Sequence, residues 1–317
     1  MKETISIMLK GAAMGVAEVI PGVSGGTLAF ITGIYERLLN AISQINPKLI
    51  KTLKEDGFKA VLEKIDAMFL AKLLGGMAIG FVVGLKIIVK LLDSNPIMIW
   101  SLFFGLILAS IPFVAKQVTK WRGTEIVFLV LGAALVYWVT VAAPSQGSAN
   151  LIIVFLAGII GVSALMLPGL SGSFVLLLLG MYTIIMPAVH DFLGNPFGPE
   201  TGIVIAFALG MLVGLLTFAK VLTYTFKRFP NPTLALLTGF LIGSLNKVWP
   251  WQKVLELDPE KVGFKAVKFS ESVLPGTFGN LVDNPVYGNT PNLITAIIAM
   301  VVGVVVVYGM DKMSTKK

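Results

Sequence analysis

The 317-residue chain is 56% hydrophobic and only 13% charged, with a mean hydropathy of +0.88 and a formal net charge of +8. A water-soluble domain carries about 25% charged residues, so the composition excludes that class and indicates a polytopic membrane protein. With no cysteine and a single histidine, His190, the chain has no disulfide framework, no thiolate metal site and no histidine cluster, so zinc and redox chemistry are not expected and no metal or cofactor is expected.

The first apolar block, 5–42, is too long for one span of roughly 20 residues. It is broken near its middle by Pro21, Gly22, Ser24, Gly25, Gly26 and Thr27, so it reads as a helical hairpin. Lys10 and Glu18 interrupt its first half and no small-residue cleavage site follows, so it is expected to remain as the first structural element rather than as a signal peptide. Lys48, Lys51, Lys54, Lys59 and Lys64 crowd the next segment, followed by spans at 69–92, 97–115 and 126–143. A second long apolar block, 151–189, is broken by Pro168, Gly169 and Ser171 in the same way. Spans at 203–226, 233–249 and 293–310 complete six expected crossings.

The basic residues fall between apolar segments rather than on a soluble module, so nucleic acid is not an expected partner. If each hairpin returns the chain to its starting side, the first lysine-rich loop, Lys116, Lys120, Arg122, Lys227, Arg228 and the tail Lys312, Lys316 and Lys317 share one face. Segments 94–96, 144–150 and 191–201 on the other face carry no lysine or arginine. By the positive-inside rule both termini of this multi-pass membrane protein are expected to be cytoplasmic. The long outer loop 250–290 fits less well, with Lys253, Lys261, Lys265 and Lys268, although Glu256, Asp258, Glu260 and Glu271 offset them.

"PGVSGGTLAFITGIY" in the first hairpin and "PGLSGSFVLLLLGMY" in the second align without a gap: Ser24 with Ser171, Gly33 with Gly180 and Tyr35 with Tyr182, each 147 positions apart. Gly76, Gly80 and Lys86 match Gly210, Gly214 and Lys220 at a separation of 134, as do "GLILAS" (105–110) and "GFLIGS" (239–244). The chain therefore reads as two halves of one membrane domain, 1–145 and 146–317. A re-entrant hairpin adds no crossing and three spans are an odd number, so the halves start on opposite sides. The expected fold is all-α: two inverted-topology repeats, each a Pro-Gly-broken re-entrant helical hairpin plus three transmembrane helices. Such repeats place a site near the midplane, where the interrupted helices meet.

Irregular backbone at membrane depth survives only where protein buries it or water reaches it. Each proline ends one helix, and Ser24 and Ser171 then stand where the next needs an N-cap. Gly25, Gly26 and Thr27, with Gly172 and Ser173, would present free N–H groups and small side chains to an anion; close helix packing is the structural alternative. Glu18 is an intramembrane carboxylate, a candidate to carry a coupling proton or orient a cation, or else to hydrogen-bond across the hairpin. Its repeat partner is Leu165, so its role is not duplicated. Lys86 and Lys220 hold matching positions near span ends, where two readings stay open: a point charge for phosphate, or a side chain snorkelling to the headgroups.

"GAAMGVAEVIPGVSGGTLAFITGIYERLL" (11–39) and "LPGLSGSFVLLLLGMY" (167–182) resemble the two signatures of the polyprenyl-phosphate transporters, formerly a domain of unknown function, and the likeness in layout covers nearly the whole chain. The resemblance implies a flippase, not an enzyme, that returns undecaprenyl phosphate or a similar polyprenyl phosphate from the outer to the cytoplasmic leaflet for reuse in envelope synthesis. A weaker likeness is to undecaprenyl-diphosphate phosphatases, which carry a Glu-x-x-x-Glu pair and a Pro-Gly-x-Ser-Arg-Ser motif. Here Met14 replaces the first glutamate and Gly172 the arginine, removing groups that hydrolysis needs. An inorganic-anion transporter or channel is the remaining alternative, because the same cradle would hold a small anion.

Overall fold

The computed structural model describes residues 2–19, 24–142, 145–257, 267–281 and 284–314. Pro21 and Gly22, with Asp258, Glu260, Lys261, Lys265, Lys316 and Lys317, lie outside the described residues. The chain is mostly helical. The first hairpin is built from α1 (Lys2–Glu18), a seven-residue α2 (Gly25–Ile31) and α3 (Tyr35–Ser43). An amphipathic α4 (Lys48–Lys64) leads through Asp66, in the left-handed region, into α5 (Ala67–Ser94), α6 (Pro96–Ala115) and α7 (Gly123–Val141). The second hairpin repeats the first: α8 (Leu151–Met166), a seven-residue α9 (Gly172–Leu178) and α10 (Tyr182–Gly194). It is followed by α11 (Thr201–Arg228) and α12 (Pro230–Ser244).

Each hairpin thus has three pieces rather than two. The second turn falls at Gly33 (φ 71°) and Gly180 (φ 66°), the left-handed conformation that a glycine accepts without a Cβ clash. Beyond Gly180 the chain bends by 115° between α9 and α10. Isolated helices shorter than about 12 residues are marginal, so caps and tertiary packing must hold α2 and α9.

Among the described residues four helices are long and apolar enough to cross a bilayer: α5, within the helical run 48–94, and α6, α7 and α11; the bent pair α9 and α10 makes a fifth if taken as one broken span. The expected span 233–249 is shorter than its apolar run, because α12 ends at Ser244 and the chain turns there. The last helix, α14 (Leu293–Ser314), is apolar over Leu293–Gly309, also short of a full crossing.

Among its described residues the loop 250–290 is not irregular. It folds into an antiparallel ribbon, β1 (Gln252–Leu257) on β2 (Val267–Ser272), followed by the short α13 (Pro275–Gly279). Among the described residues this ribbon is a small addition to a mostly helical chain that agrees with the all-α expectation. Lys253 faces Glu271 across the ribbon at 3.3 Å, so one of the lysines that strained the charge rule is locally paired. Trp249 Nε1 donates to Val273 O (2.7 Å) and Trp251 Nε1 to Pro291 O (2.8 Å), tying ribbon and loop to the end of α12.

The helices pair in four couples: α1 with α5, α8 with α11, α6 with α14 and α7 with α12. The contacts match residue by residue. A Cβ added to Gly76 would run into Met8 O and one on Gly80 into Ala12 O; at Gly210 it would meet Phe155 O and at Gly214 the Ile159 backbone. These are equivalent positions in the two halves. The other couples join the halves: Gly105 of α6 abuts Met300 of α14, and its counterpart Gly239 of α12 abuts Leu129 of α7. One apolar core runs through Phe30, Tyr35, Met166, Leu170, Phe226 and Phe240, around both helix breaks.

Candidate functional site

Ser24 is fully buried in extended conformation (φ −118°, ψ 139°) at the N-cap of α2. Its Oγ accepts from Gly26 N and donates to Leu165 O, both at 3.0 Å. Glu18, the last residue of α1, accepts the Gly25 amide at 2.6 Å. The first donors of α2 are therefore not free, a correction to the sequence expectation. An orphan N–H buried in an apolar surround costs about 1–3 kcal/mol, and the chain's own carboxylate and hydroxyl remove that cost. At the far end of α2, the Lys10 ammonium donates to Thr32 O at 2.7 Å. A negative group at the N-terminus and a positive one at the C-terminus both favour the helix dipole, and one helix, α1, supplies both.

The second break begins at Leu167 (φ −82°, ψ 130°) ahead of Pro168, which lacks an N–H, and turns through Gly169 (φ 86°). A Cβ at Gly169 would press on Phe240 O of α12 at 2.7 Å. Ser171 takes the N-cap conformation of its counterpart (φ −104°, ψ 124°) and accepts from Phe174 N at a long 3.5 Å. Its Oγ lies 3.0 Å from Ser173 Oγ. Ser171 and Gly172 are buried, whereas Ser173 is exposed.

The two breaks touch. Besides the Ser24 to Leu165 bond, Gly169 N donates to Thr27 Oγ1 at 2.9 Å and Tyr35 OH to Met166 O at 2.8 Å. Glu18, Ser24, Gly25, Gly26 and Thr27 thus gather against the loop that carries Ser171, Gly172 and Ser173. Lys86 and Lys220 do not join them: both are exposed on α5 and α11, as snorkelling requires. Ser24, Gly25, Gly26, Thr27, Ser171 and Gly172 are buried at the junction, and a small cavity of about 60 Å³ lies elsewhere, between α3 and α11, lined by Glu36, Asn40, Thr223 and Lys227 among others. Among the described residues no cluster of three acidic or histidine side chains suits a metal ion.

Two charged residues at this junction escape a sequence reading. Lys10 looks like an interruption in an apolar run; its signal is the opposite charge eight positions on, at Glu18, about the length of α2. Lys247, just past α12, places its ammonium 4.3 Å from the centre of the Phe174 ring. It is hidden in a segment that reads as one apolar span.

A family model described as undecaprenyl phosphate translocase-like (VCA0040-like) matches residues 14–265. The chain is 38% identical over 312 residues to the polyprenyl-phosphate transporter of Vibrio cholerae, covering 98% of this chain and 97% of the relative. It is 30% identical over 255 residues to the polyprenyl-phosphate transporter of Staphylococcus aureus, covering 77% and 85%. No solved structure matches it significantly. Contiguous similarity over nearly the whole length, through both helix breaks, places the chain in the undecaprenyl phosphate translocase-like family.

Proposed function

We propose that the protein carries undecaprenyl phosphate, or a similar polyprenyl phosphate, from the outer to the cytoplasmic leaflet of the plasma membrane, with both termini cytoplasmic. The relatives' names supply the substrate class. The observation that carries the site is the direct bonding between the breaks, Ser24 to Leu165 and Gly169 to Thr27, which makes one polar junction inside an otherwise apolar core. The headgroup binds there, among Ser24, Thr27, Ser171, Ser173 and the adjoining amides. Glu18 occupies Gly25 N while the site is closed, and a phosphate or a proton on Glu18 releases it; Glu18 is thereby the coupling group.

The matched packing of α1 on α5 and α8 on α11, with the α6 and α12 partners exchanged between halves, supports reading 1–145 and 146–317 as inverted-topology repeats. Alternating access then follows from rocking one half against the other about the junction.

Hydrolysis is disfavoured by packing as well as by composition. Met14 is buried where a second carboxylate would stand, and a Cβ on Gly172 would come within 2.5 Å of Gly161 O, leaving no room for an arginine stem. Purified protein should bind farnesyl phosphate, fail to bind farnesol or inorganic phosphate comparably, and release no phosphate from polyprenyl diphosphate with or without divalent metal. Phosphate release abolished by Glu18→Gln would replace the carrier by a phosphatase, and equal binding of inorganic phosphate would replace it by a small-anion pathway.

A further inference from the structure

The two breaks are electrically unequal. At the first, Glu18 brings a negative charge to the Gly25 amide and Lys10 closes the other end of the same short helix. At the second, Leu165 stands in the place of Glu18, and the only charged group brought there by a described contact is a cation, Lys247.

Among the described residues the Lys247 ammonium has no carboxylate within ion-pair distance and no hydrogen-bond acceptor; what it meets is the face of Phe174 at 4.3 Å. A ring face attracts a cation by about 0.5–2 kcal/mol but accepts none of its three N–H donors. Among the described residues this partly buried ammonium meets no anion that would compensate its desolvation. Phe174 is buried and sits in the first turn of α9, directly after Ser171 and Ser173, whose hydroxyls are 3.0 Å apart and of which Ser173 is exposed. The cation therefore reaches the second break through Phe174, in the helical turn that also carries the paired hydroxyls and the exposed Ser173, and among the described residues no counter-ion meets it.

Resting on the headgroup site proposed above, we infer that Lys247 is the substrate-binding cation of this carrier, pairing with the phosphate of the incoming lipid at the second break beside Ser171 and Ser173. Phe174 holds the ammonium in place while the site is empty. A lysine suits this role better than an arginine because a headgroup that must later be released needs a point charge rather than a bidentate clamp. The equivalent position in the first half is Phe113, so the cation, like Glu18, exists once. The division of labour is then cation on one break and carboxylate on the other: Lys247 receives the phosphate and Glu18 yields to it.

The test uses the full-length protein in nanodiscs and two readouts. In the unaltered protein, the rate of Lys247 amine acylation, followed by mass spectrometry, should fall when farnesyl phosphate is added and stay unchanged with farnesol. Lys247→Met should weaken farnesyl phosphate binding by at least about tenfold, as expected for loss of a charge-assisted contact, while Lys247→Arg retains most of it. Unchanged acylation of Lys247 under saturating farnesyl phosphate, in protein shown to bind it, overturns the lysine's role and leaves the carrier reading standing. Protein that binds no farnesyl phosphate at all overturns both. The acylation readout needs no variant, so a misfolded Lys247→Met leaves the inference decidable.

Discussion

The Glu18 carboxylate accepts the Gly25 amide at 2.6 Å, so the end of α1 caps the start of α2 across the chain's own break. In the function proposed above, that bond stands in for a bound anion, so Glu18 would serve both as a structural cap and as the group that substrate displaces.

Glu18→Gln tests the two roles separately. A glutamine side-chain oxygen still accepts the Gly25 N–H, so the variant should assemble and remain monodisperse. Without a titrating group, its transport rate should fall and lose the pH dependence of the wild type. A pH series of transport rates identical to wild type would remove the coupling role and leave only the cap.

Thr27→Val is close in volume but deletes the acceptor of Gly169 N. A buried amide left without a partner costs about 1–3 kcal/mol, so the variant should melt well below wild type. Thr238→Val is the control: Thr238 is equally buried, but its hydroxyl bonds only Leu234 O one turn back in its own helix. Equal melting of the two variants would show that the bond between the breaks contributes nothing.

Ser24→Ala removes an N-cap and a bond to the opposite break together. The expected cost is about 1–2 kcal/mol of stability, read as a lower thermal midpoint, with transport reduced further than stability explains.

Lys86→Met and Lys220→Met should leave transport within about twofold of wild type, since exposed substitutions usually act within ±0.5 kcal/mol. A large loss in binding of farnesyl phosphate by either would restore these lysines to the site.

Met14→Glu combined with Gly172→Arg should not confer hydrolysis. The arginine Cβ would meet the Gly161 carbonyl, forcing α9 away from α8, and the predicted outcome is poor folding, seen as low yield and a broadened melting transition.

The layout is legible in the sequence because each break is written by the same residues, a proline, a small turn and a serine, and because the gap-free register of Ser24 with Ser171 and Gly33 with Gly180 exposes the repeat. Matching backbone conformations at those positions are what identical local sequence should produce. What escapes is tertiary. The partners of Glu18 and Thr27 are main-chain groups, which no residue pattern marks. Lys247 is obscured because α12 stops at Ser244, inside an apolar run that hydropathy carries on to residue 249. The ribbon 252–272 has short strands with weak alternation, and its pairing through Lys253 and Glu271 is visible only once the chain has turned back.

The most direct measurement is the sidedness of polyprenyl phosphate in proteoliposomes. With labelled lipid supplied to one leaflet, vesicles holding the wild-type protein should transfer it to the other far faster than protein-free vesicles, and Lys247→Met or Glu18→Gln should bring the rate back toward the protein-free value. Equal transfer with and without the wild-type protein, in vesicles where it binds farnesyl phosphate, would contradict the carrier function itself.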